Sequence, residues 1–368
     1  MRPASEAEKA RLAELFADLC RIASPSGHER ECSERVVAEL RRMGVTAEAD
    51  EAGNLLARIP GRGDRSVLLC AHMDTVECDV PIEPVLVDGG WENANDGILG
   101  ADNKAALAVM LEVARRASVE GSPVSIELLF TVSEEDALTG AKAFDASRLQ
   151  SDFGYVFDQA TPIGEIVTAS PTAYVLQADF HGKAAHAGLR PEDGRSAVLA
   201  AARAIAAMPL GRIDAETTAN VGSVHGGVGT TNVVPERCRL NAEARSLDPA
   251  RVEDVVSGIV DALYDGAAQG ECDVDVVSEK TFPGYRVRPS AVELVAAEAA
   301  LRACGYRPAR VSSGGGSDAN ILQAAGFPCI CLANGTERNH EPTERVSVVA
   351  LDGMLEVALA LLEEAAAA

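Results

Sequence analysis

Several short stretches of this 368-residue chain combine residue types that hold metal ions or move protons. In residues 68–76, LLCAHMDTV, an apolar run ends in His72-Met73-Asp74. Side chains two apart on a strand share a face, so Asp74 is placed to hold the His72 ring through its second nitrogen and raise its basicity as a ligand. Asp102, in Gly100-Ala101-Asp102-Asn103-Lys104, stands just before a largely apolar stretch, where an aspartate is either an N-cap or a ligand. Ser133-Glu134-Glu135-Asp136 follows another apolar run, and open α/β sheets bind their ligands beyond the carboxyl ends of strands. Adjacent carboxylates there can point in different directions, one to a metal and one to a water. Asp158 closes Tyr155-Val156-Phe157, and His340 lies in Asn339-His340-Glu341-Pro342 ahead of the last helical pattern. Each of these groups alone reads equally as a capping or solvated side chain. Their repeated placement, just after an apolar run or just before a buried helix, points to one metal-dependent site.

The elements that must position them follow from periodicity and turn signals. Amphipathic spacing predicts helices over residues 7–22 and 28–43, then strands at 54–59 and 67–70, separated by Ser24-Pro25-Ser26-Gly27 and Gly61-Arg62-Gly63-Asp64. Residues 104–116 read as a mostly buried helix and 124–132 as a buried strand, an alternation that indicates an α/β layered sheet. From 172 to 279 the pattern changes to βαββαβ: strand 172–180, helix 196–207, strands 218–224 and 236–246, helix 249–264 and strand 272–278. In the fourth of these, Cys238, Leu240, Ala242 and Ala244 alternate with Arg237, Arg239, Asn241, Glu243 and Arg245, so one face of that sheet is polar. Asp248-Pro249 supplies a cap followed by proline at the first helical position. Helices at 291–304, 318–325 and 348–364 then surround a short strand at 328–332. The expected organisation is a first domain over 1–170, an inserted domain over 171–281 and a resumption of the first domain over 282–368.

Bulk properties narrow the function. The length favours two domains over one. A formal net charge of -23 repels polyanions, which argues against a nucleic-acid partner. No run approaches the roughly 20 apolar residues of a membrane span, and the start lacks an apolar signal core, so no membrane partner is expected. The nine cysteines include no C-x-x-C pair and fall within regular elements, which suits reduced thiols in a cytoplasm.

The ordered motifs AHMDTV, GADNKAALA, SEEDALTGA, VFDQA, HGKAAHAG, TNVVPERC, EARSLD, SGGGSDANI and NHEPTE span most of the chain. Together they resemble the M20 family of co-catalytic zinc metallopeptidases, nearest its peptidase T-like, tripeptide aminopeptidase branch. The resemblance implies an α/β fold, a phosphorylase/hydrolase-like catalytic domain with an inserted ferredoxin-like α+β lid domain often used for dimerisation. It implies that His72 and Asp158 bind one divalent ion, Glu135 and His340 a second, and that Asp102 bridges both. Glu134 becomes the general base for attack by a water held between the ions, and Asp74 the group orienting His72. The peptide bond after Asp102 is often cis in this family. Zinc is the expected metal, although His and carboxylate donors also suit manganese or cobalt.

Further roles rest on the same resemblance. His186 matches a lid histidine that stabilises the tetrahedral oxyanion, Asn232 a polar contact to substrate, and Arg245 a guanidinium fork for a substrate carboxylate. The loop around Gly315, ahead of a helix, offers backbone N–H groups to an anion, and it lacks the Walker Lys-Ser/Thr of a nucleotide site. The expected partners are a short peptide substrate and a second copy through the lid. An aspartate at 158 accompanies aminopeptidases and dipeptidases in related families, which favours amino-terminal release from di- or tripeptides. The alternatives are an amidohydrolase acting on N-acyl amino acids, and a noncatalytic metal- or peptide-binding protein. The stretch Thr336-Glu337-Arg338-Asn339, beside His340, departs from common relatives.

Overall fold

The computed structural model describes residues 2–227 and 229–368. Its chain divides into two compact units. The first holds residues up to Ala169 with Arg286–Ser313 and Ser317–Ala368, and the second holds Ser170–Tyr285 with Gly314–Gly316.

The first unit is built on a nine-stranded mixed sheet. Four parallel strands form its middle, in the order Ser125–Thr131, Ser66–His72, Phe153–Gln159, Cys329–Ala333. Parallel strands are covered on both faces, and Ser66–His72 is accordingly buried at every position after Ser66. From that strand the chain passes through the helix Ala101–Glu120 to Ser125–Thr131 on one side, then crosses to Phe153–Gln159 on the other. The connections therefore diverge between Ser66–His72 and Phe153–Gln159. Such a switch point opens a crevice at the carboxyl ends of its strands.

The helix Ala101–Glu120 is apolar nearly all round and lies between Glu6–Cys20 and Val348–Ala367, which explains its burial from Ala101 to Ala114. Each fully buried Leu or Val in it stabilises the fold by roughly 1.5–3 kcal/mol. It starts three residues before the predicted Lys104. The first turn is irregular, with non-helical backbone at Asp102 and Asn103 and a cis bond between them.

The second unit is an antiparallel sheet ordered Gly211–Arg212, Thr217–Gly226, Arg237–Ser246, Thr172–His181, Asp273–Phe282. Without the two-residue edge strand this is the ferredoxin-like arrangement of a βαββαβ chain. The helices Ala197–Ala207 and Pro249–Gln269 supply a core separate from that of the first unit. Cys238, Leu240, Ala242 and Ala244 are buried in it, while Arg237, Arg239 and Asn241 are exposed. Asp248 caps its helix by accepting from the N–H groups of Ala250 and Arg251 at 3.0 and 3.4 Å. That helix runs five residues past the predicted end, through Gly266. A Cβ at Gly266 would stand 2.7 Å from the Ala200 carbonyl oxygen, so this glycine marks a close helix–helix approach, not a stop.

Candidate metal centre

His72 ends its strand and is 1% exposed. Its Nδ1 lies 3.0 Å from the backbone carbonyl of Asp74 and 3.3 Å from Asp74 Oδ1. Protonated at Nδ1, the ring donates to that carbonyl and turns the Nε2 lone pair outward. Nε2 stands 3.4 Å from Asp102 Oδ1 and 3.5 Å from Asp158 Oδ1. Nε2 and Asp102 Oδ1 are buried and have no hydrogen-bond partner. Around a tetrahedral ion with bonds of about 2.0 Å, neighbouring donors sit roughly 3.3 Å apart. The spacing and the orphaned atoms thus fit a cation held between these three side chains.

A second set adjoins it. His340 Nε2 lies 2.8 Å from Glu135 Oε1 and 3.6 Å from Asp102 Oδ2. Donor atoms of His72, Asp102 and Glu135 fall within 4.8 Å of one another, as do those of His72, Glu134 and Asp158. Asp102 therefore offers one oxygen toward each histidine. The structure brings together all six of the residues predicted from sequence to bind metal or act as base. His72 ends a central parallel strand, Asp158 stands one residue from the end of another, the glutamates follow a third, Asp102 opens the buried helix, and His340 lies between the short strands Thr336–Glu337 and Arg345–Ser347.

Asp74 does more than face the imidazole. Its Oδ1 accepts from the N–H of Glu134 and its Oδ2 from the N–H of Glu135, each at 3.0 Å, and Oδ2 also accepts from Ser26 Oγ at 2.7 Å. One carboxylate thereby ties the end of the His72 strand to the turn carrying both glutamates. Glu29 supports the same turn by accepting from the Ser133 N–H at 2.9 Å, where Ser133 has φ of 50°. Asn103 Nδ2 donates to the Phe157 carbonyl at 2.7 Å, fixing the start of the buried helix against the Asp158 strand.

Five carboxylates (Asp74, Asp102, Glu134, Glu135, Asp158) meet only two imidazoles here, so the neutral-His site carries excess negative charge for two divalent cations to balance. The pKa shifts follow the crowding. For His72, burial works against the charged ring, but Asp102, Asp158 and Asp74 together hold its pKa well above the ordinary histidine range. His340, beside Asp102 and Glu135, is raised to about 10. Burial followed by the Asp158 charge pushes Glu134 well above the usual carboxylate range. Burial also dominates for Asp158, raising it. Asp102 goes the other way: burial opposes its charge, and the adjacent His340 and His72 rings overcome that and hold it low.

Sequence reasoning missed several supporting groups. Asn339 Nδ2 donates to Asp102 Oδ2 at 2.7 Å. Buried Lys104 Nζ contacts the Met73 carbonyl at 3.0 Å and Ser24 Oγ, binding the helix start to the His72–Asp74 segment. Asp318 accepts from Thr131 Oγ1 at 2.6 Å beneath the Glu134 turn. Glu344 accepts three backbone N–H groups around Asp102. The motif letters NHEPTE, GADNKAALA and SGGGSDANI flagged these segments, but nothing in them names the distant partners.

The remaining candidates lie in the second unit. His186 is exposed, and its Nδ1 accepts from the Gly188 N–H at 3.2 Å. The segments carrying His186 and Asn232 pair, with the Ala187 N–H donating to the Asn232 carbonyl at 2.9 Å. Arg245 donates to Glu243 Oε2 at 2.8 Å and to the Gly314 carbonyl at 3.2 Å. Gly315 accepts from Ser170 Oγ at 2.9 Å.

Comparison with known proteins finds peptidases among those similar to this chain. Residues 174–271 match the family model described as a peptidase dimerisation domain, and residues 54–187 match that of peptidase family M28. The protein YqjE of Bacillus subtilis (strain 168) is 37% identical over 97% of this chain and 98% of its own. The crystal structure of aminopeptidase PepT from Bacillus cereus ATCC 10987 is 37% identical, covers 97% of this chain and 99% of its own, and superposes with a TM-score of 0.87. A tripeptidase from Staphylococcus aureus subsp. aureus Mu50 is 33% identical over 98% of this chain and 99% of its own, with a TM-score of 0.93.

Proposed function

The chain belongs to the M20 family of peptidases, in its peptidase T-like branch, and we propose that it is a two-metal exopeptidase releasing the amino-terminal residue of tripeptides or dipeptides. The observation that carries this reading is the unpaired, buried His72 Nε2 and Asp102 Oδ1 at the switch point of the sheet. We assign His72 and Asp158 to one ion, Glu135 and His340 to the other, and Asp102 to both. Zinc is favoured, because the donors are imidazole and carboxylate and the spacing suits a tetrahedral ion. The first unit is then the catalytic domain and the second the lid.

When bound, the two ions supply Lewis-acid polarisation of the scissile carbonyl and a lowered pKa for the attacking water. Glu134 accepts the proton of that water on its carboxylate and passes it to the leaving amine, the work of a general base that becomes a general acid. Asp74 holds the Glu134 and Glu135 backbones in one register, so that one carboxylate serves the proton and the other the ion. His186 is assigned the oxyanion contact: Nδ1 accepts from Gly188, so the neutral ring keeps its proton on Nε2, ready to donate. Asn232, Arg245 and Gly315 keep their assignments as substrate contacts. The match of residues 174–271 to a dimerisation domain supports a homodimer, and nine free cysteines support a reducing cytoplasm.

A panel of di- and tripeptides, each with a free amine or an N-acetyl group, offered to the zinc-loaded protein tests this reading. Mass spectrometry should find the amino-terminal residue released from the free-amine members. Preference for the acetylated series would replace the reading with a deacylase, and release of the carboxyl-terminal residue would replace it with a carboxypeptidase.

A further inference from the structure

We propose that Glu344 is a positioning residue for Asp102, its carboxylate fixing the backbone from which the bridging side chain is presented. Glu344 is 2% exposed. Its Oε2 accepts from the N–H groups of Leu99 and Gly100 at 2.9 and 2.8 Å, and its Oε1 accepts from the N–H of Asp102 itself at 2.9 Å. The inference rests on the assignment of Asp102 as the bridge.

The local sequence explains why a distant residue is needed. The first N–H groups of a helix have no partner within it. The residue at the cap position here is Gly100, with φ of 72° and no side chain to accept from them. Asp102 cannot cap its own helix while its oxygens face His72 and His340. The first turn also departs from helical geometry at Asp102 and Asn103, so the regular hydrogen-bond ladder does not set the position of Asp102. Glu344 supplies what the turn lacks. A carboxyl group can place two oxygens on one short arc of backbone.

Nothing else in its surroundings accounts for a buried carboxylate at this position. Among the described residues no Lys, Arg or His forms an ion pair with Glu344, and a buried polar group is costly unless it is hydrogen-bonded, as this one is to Leu99, Gly100 and Asp102. The segment bearing it also carries two other groups of the site. Four residues earlier stands His340, and the preceding Asn339 donates to Asp102 Oδ2 at 2.7 Å. Residues 339–344 thus hold Asp102 from two sides, by its side chain through Asn339 and by its backbone through Glu344, and link its placement to that of His340.

Zinc affinity of the full-length protein, measured by competition with a chromophoric chelator, tests the proposal alongside thermal unfolding of the metal-free form. Outer partners of metal ligands typically change affinity about 10- to 100-fold. E344Q keeps one accepting oxygen and turns an NH2 group toward an N–H donor, so its zinc affinity should fall by that factor and its kcat should fall with little change in KM. E344D keeps both oxygens but moves them back by one methylene, and should show a smaller loss; it is read in place of E344Q if the latter does not fold. E127Q is the control. Glu127 is equally buried and accepts from the N–H groups of Gln150 and Ser151 at 2.8 Å, far along its strand from the site. E127Q should lower the melting temperature and leave zinc affinity unchanged. Wild-type zinc affinity in E344Q and E344D, with only the stability loss seen in E127Q, overturns the proposal. D102N separates this from the underlying assignment: if D102N still binds two ions as tightly as wild type, the bridge itself is wrong.

Discussion

Glu134 and Glu135 are neighbours in sequence and yet differ in what they face. Glu135 Oε1 reaches His340 Nε2 at 2.8 Å, while Glu134 shares its surroundings with His72 and Asp158. E134Q should therefore retain two zinc ions by elemental analysis and lose about 100-fold or more in kcat, the usual share of a general base. E135Q should lose one ion; the opposite pair of outcomes reverses the assignment. The histidines add a prediction about protons. His340, beside Asp102 and Glu135, has its pKa raised to about 10, so its ring is charged at pH 7 in the metal-free protein. Coordination requires a neutral imidazole, so zinc uptake must displace that proton. Calorimetry in buffers of different ionisation enthalpy should report release of at least one proton at pH 7. Affinity should fall as pH is lowered, because protonation then competes harder. Zinc uptake without proton release removes His340 from the coordination scheme.

At the scale of elements, the helix Glu6–Cys20 is anchored by one buried ion pair. Glu8 completes a capping box with Ser5 and also accepts from Arg116 Nε and Nη2, each at 2.8 Å. Burial alone would raise the Glu8 pKa, but hydrogen bonds from Arg116, Arg2 and Ser5 hold it well below the usual carboxylate range. E8Q leaves Arg116 buried without its counter-charge and should destabilise the protein by roughly 3–5 kcal/mol in urea unfolding at pH 7. A depressed carboxylate stabilises above its unfolded pKa and loses that contribution as pH falls toward the folded one. The gap between wild type and E8Q should accordingly narrow below about pH 4.5; a gap independent of pH would deny the pair its role. The element itself was legible from sequence as an amphipathic repeat over residues 7–22. So were the strands ending at His72 and Thr131, whose apolar runs match their burial. Strands of two to four residues, such as Ala47–Ala49, Pro84–Val87 and Arg345–Ser347, carry no such repeat and were not read. The site divides in the same way. His72, Asp102 and the glutamate pair stand beside apolar runs that a sequence displays, whereas Glu344 and Asn339 meet Asp102 across more than two hundred residues. No local pattern encodes that kind of pairing.

The molecule as a whole keeps two separate hydrophobic cores, one in each unit. The change from α/β alternation to βαββαβ near residue 172 signalled the division in the sequence. Gly314–Gly316, by contrast, groups with the second unit although its neighbours on both sides belong to the first, and a glycine run gives no sign of that. The division has a thermodynamic consequence. His72, Asp102, Glu134, Glu135, Asp158 and His340 all lie in the first unit, so zinc binds only when that unit is folded. A ligand that binds the folded form alone stabilises it by about 2.7 kcal/mol at 100 times its dissociation constant. For a domain of roughly 150–250 residues, each kcal/mol moves the melting temperature by about 2–4 °C. Scanning calorimetry of the full-length protein should therefore resolve a transition that falls by about 5–10 °C for each ion a chelator removes. The transition of the second unit, whose core contains none of these ligands, should stay where it is. If chelation shifts both transitions equally, the two units unfold as one cooperative block, and the independence implied by their separate cores does not extend to their stability.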